Sequence, residues 1–516
     1  MKNEKKKLAA RIYDWFAPAK PVKRHYAAAR NNRLNAGWAT SPTGANYETQ
    51  ISLSTLIARS RQAARDDLHI VNYLRLMRAN VIGHKGIQLQ SRAREVDGKT
   101  LNVDLNKRVE EAWWEWTHAE TCTVSGKLDW KGVQDLVVTQ CERDGAFLIQ
   151  MIEADNDFGF ALKTWDVTWL DPTFNETRPG GNRVIMSIEI DANAKPVAYW
   201  LTTPSSEINY TDRRARTRTR ILADQILHDF QIHDDESQVH GIPGIAAAIL
   251  PAKNAYSYTE SVVLTSRQCV NDMAVLKNTM ADADANWEGA TDDEGRPLHP
   301  MIESAPLSVT ALLPGWELDW RDPKHPTQNH PAFKQTLDMD IAAALGVPYF
   351  LLMGDWKSVN FSSSRGGLGE FRERCKSYQQ FIATTLCRKV FHAWLRRAIL
   401  KGKLKVTREE YAEILNPTWV PRGFDYVDPS KDVQTDILKL QYRLTTPSEI
   451  ASEHGVDYLD RLERWQSDKE MAAEATGQDI DELYTPPKQL AAGVPPDDEN
   501  KDDPPPKKKG EDDDAE

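Results

Sequence analysis

Residues 331–400 read PAFKQTLDMDIAAALGVPYFLLMGDWKSVNFSSSRGGLGEFRERCKSYQQFIATTLCRKVFHAWLRRAIL. Pro331 suits the first position of a helix over Ala332–Leu345, since its φ is already fixed near the helical value, and Gly346 is a natural stop. Val347–Gly367 is rich in Ser, Asn and Gly and reads as a loop. From Leu368 to Leu400 apolar residues recur at helical spacing. Phe371, Cys375, Tyr378, Ile382, Leu386, Val390, Phe391, Trp394 and Ile399 make one inward face. A helix of that length spans roughly 50 Å at 1.5 Å per residue. A helix, a polar loop and a very long helix are the frame on which the rest must pack.

Upstream, Asn254–Met280 carries a second long helical pattern, with Tyr258, Val262, Cys269, Val270, Met273 and Leu276 on a broad face. Ala281–His299 is acidic and lacks periodicity, and Ser308–Leu313 and Trp316–Trp320 read as strands around Pro314-Gly315. Before residue 235 or so the pattern is mixed. Leu56–Ile82, Leu105–Trp116 and Trp130–Cys141 are helical, with Leu68, Val71, Leu74, Met77 and Val81 as the apolar period of the first. Ile87–Arg92, Ala146–Ile152, Ala161–Leu170, Val184–Ile190, Pro196–Leu201 and Ile226–Phe230 are strand-like. Thr407-x-x-Glu410 and Thr446-x-x-Glu449 are capping boxes that open two C-terminal helical segments. The fold class is α+β, and 516 residues suffice for three to four domain-sized units.

Charge narrows the function. Lys+Arg is 65 against 76 Asp+Glu, a net charge of -11, which excludes a simple basic binder that wraps nucleic acid by bulk attraction. Met1 to about Ser54 is a polar, basic arm, and Pro, Asp and Lys beyond Thr485 make an acidic tail of disordered composition. No run of 18 apolar residues crosses a membrane, and no apolar signal core follows the first lysines. Five widely spaced cysteines without a Cys-x-x-Cys suggest buried thiols, neither a zinc module nor a disulfide framework. Sixteen tryptophans mean either large cores or extensive subunit contacts.

Catalytic motifs are missing. Gly98-Lys99-Thr100 lacks the earlier glycine of a phosphate-binding loop, and His118-x-Glu120 lacks the cysteine pair of a deaminase. Gly366-Gly367-Leu368-Gly369 lacks a lysine–serine partner and reads as a hinge. Asp66-Asp67 and Asp234-Asp235 read as caps or solvated faces, since adjacent helical carboxylates point about 100° apart. The basic run with Arg213, Arg214, Arg216, Arg218 and Arg220 is either a contact patch for phosphate or an acidic subunit edge, or an exposed loop. No catalytic residue, metal ligand or cofactor is assigned. A structural or assembly component fits better than an enzyme. The alternative is a metal-dependent nuclease or another DNA-processing enzyme, which would need a converging carboxylate cluster.

Several segments, in order, resemble the lambda-type family of portal proteins of tailed bacteriophages. They are Ala64-Arg65-Asp66-Asp67-Leu68 with Asn80-Val81-Ile82-Gly83, Leu313-Pro314-Gly315-Trp316-Glu317-Leu318, Ile341-Ala342-Ala343-Ala344-Leu345-Gly346-Val347-Pro348-Tyr349, Asn360-Phe361-Ser362-Ser363-Ser364-Arg365, and Trp419 with Asp428-Pro429-Ser430-Lys431. The resemblance spans roughly residues 60 to 470.

It implies a portal architecture. An α/β wing would cover 55–253, after a 1–54 arm. Stem helices would be 254–280 and 329–346, a small α/β clip 281–328, and a tunnel loop 347–367. The wing's spine helix and following segment would be 368–430, a helical crown 431–484, and the tail 485–516. It also implies a ring, normally dodecameric, at one capsid vertex of the virion, assembled in the host cytoplasm. Partners would be the terminase large subunit, then head-completion or adaptor proteins, with major capsid and scaffold proteins around it. Double-stranded DNA would pass without sequence specificity, and no membrane is involved. An acidic chain repeated around a ring would repel DNA and so avoid stalling it. The residues facing the channel would come from Asp355, Trp356, Lys357, Asn360, Ser362, Ser364 and Arg365. Arg365 would either touch phosphate or anchor the loop to a nearby carboxylate.

Overall fold

The computed structural model describes residues 42–95, 101–203, 217–271, 274–278, 316–320, 329–357, 359–424, 429–454 and 456–476. The arm up to residue 41, residues 96–100 with Gly98-Lys99-Thr100, Arg213, Arg214, Arg216, most of the 281–328 segment and the acidic tail lie outside these residues.

The first helix among the described residues, α1, is Ala45–Asp66, and α2 is Leu68–Met77, running on as a π-helical turn Arg78–Ile82. The single expected helix Leu56–Ile82 therefore starts earlier and is broken. Asp67 has extended backbone, and its carboxylate accepts from the amides of His69 and Ile70, capping α2. Leu74, Met77 and Val81 of the expected apolar period are buried, His69, Ile70 and Tyr73 join them inside, and Leu68 at the break is exposed. Helix α3 is Val103–Trp116 and α4 is Trp130–Asp144. Asn102 and Asp129 cap them through the amides of Leu105 and Gly132, and Gly145 ends α4 at φ 91°.

The described strands form four antiparallel sheets. Strand β1 (Gln88–Gln90) pairs antiparallel with β12 (Thr418–Val420), which joins segments more than 300 residues apart. Strands β2 (Phe147–Ile152), β3 (Ala161–Trp165) and β9 (Ile226–Asp229) form a sheet in the order β3-β2-β9. A five-stranded antiparallel meander comprises β4 (Glu176–Thr177), β5 (Arg183–Ile185), β6 (Ile188–Ile190), β7 (Pro196–Thr203) and β8 (Thr217–Leu222). The expected strand Val184–Ile190 is thus a hairpin. Met186 and Ser187 both take positive φ, 48° and 68°, and are held there by Asn175 Oδ1 on the Met186 amide and by the Phe174 carbonyl on the Ser187 amide. Two side-chain-bearing residues in a primed turn leave no glycine signal.

The expected helix Asn254–Met280 is α5, Ala246–Asn271, followed by β10, Ala274–Asn278, which pairs with β11, Trp316–Trp320. Helix α6 is His330–Leu345, with Pro331 in its first turn and Gly346 in the left-handed cap. Then come the short α7, Tyr349–Met353, and α8, which runs as Phe361–Ile382, a π-helical turn Ala383–Cys387, and Arg388–Leu400. The C-terminal helices are α9 (Arg408–Ile414), α10 (Pro429–Gln441), α11 (Pro447–Glu453) and α12 (Tyr458–Thr476). Both capping boxes form, at Thr407–Glu410 and Thr446–Glu449.

The main core gathers α2, α3, α4 and α8. Phe371, Cys375, Tyr378, Ile382, Leu386, Val390, Phe391 and Trp394 are all buried on the inner face of α8, with Ile399 partly so. Trp394 meets Trp113 edge-on at 5.0 Å, and Trp113 meets Trp130 at 5.6 Å and Trp419 at 6.0 Å. Such edge-to-face pairs favour the ring quadrupoles, so these tryptophans answer to core packing. A smaller core lies where Leu53 and Ile57 of α1 cover Val167, Leu170, Ile188 and Leu201 of the meander and its approach. Cys122, Cys141, Cys375 and Cys387 are free and buried, as the cysteine pattern suggests.

Candidate functional site

The segment between α6 and α8 is much shorter as a loop than its composition suggests. Helix α8 begins at Phe361, seven residues before Leu368, so Ser362, Ser364, Arg365 and the glycines 366, 367 and 369 are helical. The cause is Asn360. Its backbone is extended and its Oδ1 accepts from the Ser363 amide at 2.8 Å, while the Ser363 hydroxyl donates to the Asn360 carbonyl at 3.1 Å. Glycine is disfavoured inside helices, but at Gly367 a Cβ would sit 3.2 Å from the Phe350 ring. Its absence lets α8 close on α7. The loop proper is Gly354–Asn360, and it turns at Gly354 with φ 69°.

Within it, the Asp355 carboxylate accepts from the Lys357 amide at 3.1 Å, a local turn that fixes the tip. Trp356 is 56% exposed and leans on Phe350, ring centroids 5.2 Å apart. Lys357 is exposed and makes no ion pair with any described residue. Arg365 takes the anchoring role: its Nη2 lies 2.7 Å from Asp432 Oδ1, which ties the first turn of α8 to α10. Asn360 is spent on its cap. The expected channel group thus divides into a tip, with Asp355 half-buried and Trp356 and Lys357 exposed, and a root held by its partners.

The root is held from below by groups that sequence reading did not single out. The Asn72 amide donates to the Leu352 carbonyl at 2.6 Å. Arg374 donates through Nη1 to the Leu345 carbonyl and through Nη2 to Tyr73 Oη at 3.0 Å, and Tyr73 donates to Glu142 Oε2 at 2.8 Å. A Cβ on Gly346 would run into that guanidinium. Burial raises the Glu142 pKa although Tyr73 hydrogen bonds to it. This relay joins α2, α4, α6 and α8.

A second tie is His69, buried between α2 and α6. Its Nδ1 is 3.1 Å from Asp67 and its Nε2 3.1 Å from Asp338, with Lys334 Nζ 3.5 Å from the same Asp338. Burial opposes its charge, but the hydrogen bonds and charges of Asp67 and Asp338 outweigh burial, and its pKa is raised above 6.5. A group whose folded pKa is raised stabilises fully below its unfolded pKa, and that contribution fades as pH rises through the folded value. We expect thermal unfolding midpoints of the native chain and of His69→Gln to differ most below pH 6.5 and to converge above His69's folded pKa, with about 1 kcal/mol or more at stake. A pH-independent gap would contradict the charged clamp.

The second half of the expected basic patch is not a loop. Arg218 and Arg220 lie on β8, opposite Thr202 and Trp200 of β7. Arg220 donates to both oxygens of Glu189, at 2.9 and 3.2 Å, and this pairing pulls the Glu189 pKa down to about 2. Arg218 lies 3.3 Å from Asp171 and stacks over Phe174 at 4.3 Å. These two arginines are engaged within the chain. Asp67 and Asp235 act locally, the first as a cap and the second through the Ser237 amide at 2.7 Å. Among the described residues no three His, Cys, Asp or Glu side chains converge as metal ligands would, and no helix is long and apolar enough to cross a membrane.

Taken together, the fold offers a long-helix frame that presents one exposed loop tip, with no cluster of reactive groups at it. A family model, phage portal protein of the lambda family, matches residues 31–379. The chain belongs to that family, whose members are structural proteins of the phage particle. Over 453 residues, 85% of this chain and 86% of the relative, it is 28% identical to a probable portal protein of Halomonas phage phiHAP-1. Over 159 residues, 30% of each chain, it is 26% identical to portal protein B of Escherichia phage lambda. Among solved structures it is similar, at 13% identity and a TM-score of 0.43 over 82% of this chain and 97% of the other, to a chain from the neck of an empty gene transfer agent particle computed with C6 symmetry.

Proposed function

We propose that copies of this chain close into a ring, dodecameric by family habit, at the unique capsid vertex, and that DNA enters and leaves the head through its centre. The observation that carries this reading is the family match over 31–379, which takes in α1 through the loop tip and half of α8. In this reading α1–α4 and the meander are the wing, α5 and α6 the stem, and the segment between them, with β10 and β11, belongs to the clip. Gly354–Asn360 is the tunnel loop, α8 the spine, and α10–α12 the crown. The ring assembles in the host cytoplasm. It presents the clip first to the terminase large subunit and then to head-completion proteins, while capsid and scaffold proteins surround the wing.

Exposed apolar side chains support the ring. Tyr256 and Leu264 on α5, Phe333 and Met339 on α6, and Leu438 on α10 each leave about half of their surface exposed among the described residues. Neighbours arranged head to tail would bury them. Lys357 is the cation left to meet phosphate at the tip, and a lone charge per subunit, screened over about 8 Å, holds DNA only transiently.

A photo-crosslinking residue in place of Lys357 tests the lumen assignment. In particles arrested during packaging we expect adducts to DNA of any sequence. Particles that package normally but give none would remove Lys357 from the channel.

A further inference from the structure

Away from the loop, two clefts share a wall. One, of about 500 Å³, is lined by five arginines, among them Arg61, Arg65, Arg75 and Arg78. The other, of about 570 Å³, continues past Arg75 and Arg78 to Lys131 and Arg422. In a chain of net charge -11, this groove is a local reversal of sign.

Its charges are only partly met. Arg61 bridges Asp144 and Asp166, Arg143 also pairs with the buried Asp144, and Lys131 pairs with Asp135. Arg65 and Arg75 are exposed and have no ion pair with a described residue. Arg78 reaches only the Leu74 carbonyl, at 3.4 Å. Arg422 is fixed by the Ala79 carbonyl and Asn80 Oδ1 and meets no carboxylate there. A row of guanidinium groups without carboxylate partners is what an extended polyanion needs, because each supplies a planar fork for a carboxylate or phosphate.

We infer that the occupant of this groove is the chain's own acidic C-terminal segment, residues 495–516. That stretch holds ten Asp and Glu against four Lys. Reach favours it as well as charge. Gly423, next to Arg422, lies against the backbone of Glu453 and His454 at the end of α11, so the C-terminal part of the chain departs from the rim of the groove. Helix α12 adds about 28 Å, and the roughly 21 residues from Thr476 to Asp497, the first acid of that stretch, can span up to about 70 Å. The segment can therefore fold back from any exit direction of α12. This inference does not depend on the ring.

The test uses the full chain, a chain ending at residue 484, and a fluorescent synthetic peptide of residues 495–516, followed by anisotropy. The peptide should bind the shortened chain, more weakly as salt rises. It should bind the full chain at least about tenfold more weakly, because the tethered copy competes at high effective concentration. Arg65→Glu/Arg75→Glu/Arg78→Glu in the shortened chain should cost about tenfold or more. Arg75→Gln/Arg78→Gln, a milder change at exposed sites, provides the same reading if the triple variant misfolds. Equal binding to full and shortened chains would overturn the inference, as would binding indifferent to the arginine changes. Short duplex DNA that binds the full chain through these arginines, and is not displaced by the peptide, would assign the groove to nucleic acid instead.

Discussion

Replacing Asp355–Lys357 with three glycines, while keeping Gly354 and Asn360, is expected to leave the protein folded and assembled and to cut the yield of DNA-filled heads by an order of magnitude or more. The reasoning is geometric. Gly354 supplies the left-handed turn and Asn360 the cap of α8, so both ends of the loop survive. The tip contributes little to stability: Trp356 touches Phe350 only from the surface, and Asp355 serves the local turn and a single hydrogen bond with Tyr349 of α7. A wider deletion, Met353–Gly366, would instead remove the first turns of α8 and the Arg365–Asp432 pair, and would confuse a folding defect with a packaging defect. Counting DNA-filled against empty heads, alongside the mass of the purified assembly, separates the two. Loss of assembly with the tip alone would contradict the division into tip and root.

The second large effect is in the core. Trp394→Ala should destabilise the chain by about 3–5 kcal/mol. Trp394 is wholly buried and packs against Trp113 at 5.0 Å, Phe391 at 5.6 Å and Phe158 at 6.1 Å. It is the point where α3, α8 and the approach to β3 meet, and the rings packed against it are themselves held in the core. Trp394→Phe should cost far less. The indole N–H has no hydrogen-bond partner in the core, so its removal also relieves a buried unsatisfied donor. Denaturant unfolding of the two variants checks this. Equal losses would mean that the polar edge, not the ring volume, is what the core requires.

How far these features were legible in the sequence depends on their range. The inner face of α8 is readable because eight apolar residues keep one period, and the two capping boxes because each lies within four residues. The start of α8 is hidden, because Ser and Gly are loop-like in composition and only the packing on Phe350 explains Gly367. Helix α5 begins before Asn254 despite Pro251, which sits near its start, where a missing amide costs one backbone bond. Ala274–Asn278 reads as helix because a short apolar run fits either period, and its partner strand begins some forty residues later. The site was legible as a segment and illegible as a set of roles. Asn360, Arg365, Arg218 and Arg220 all have partners, and three of those partners are thirty to seventy residues away.

The central claim is the ring. Electron microscopy of the purified chain, with native mass spectrometry of the same sample, tests it most directly. We predict annular particles with a central hole and a mass near twelve subunits. A monomer or dimer without a hole, unchanged across concentration and salt, would contradict it.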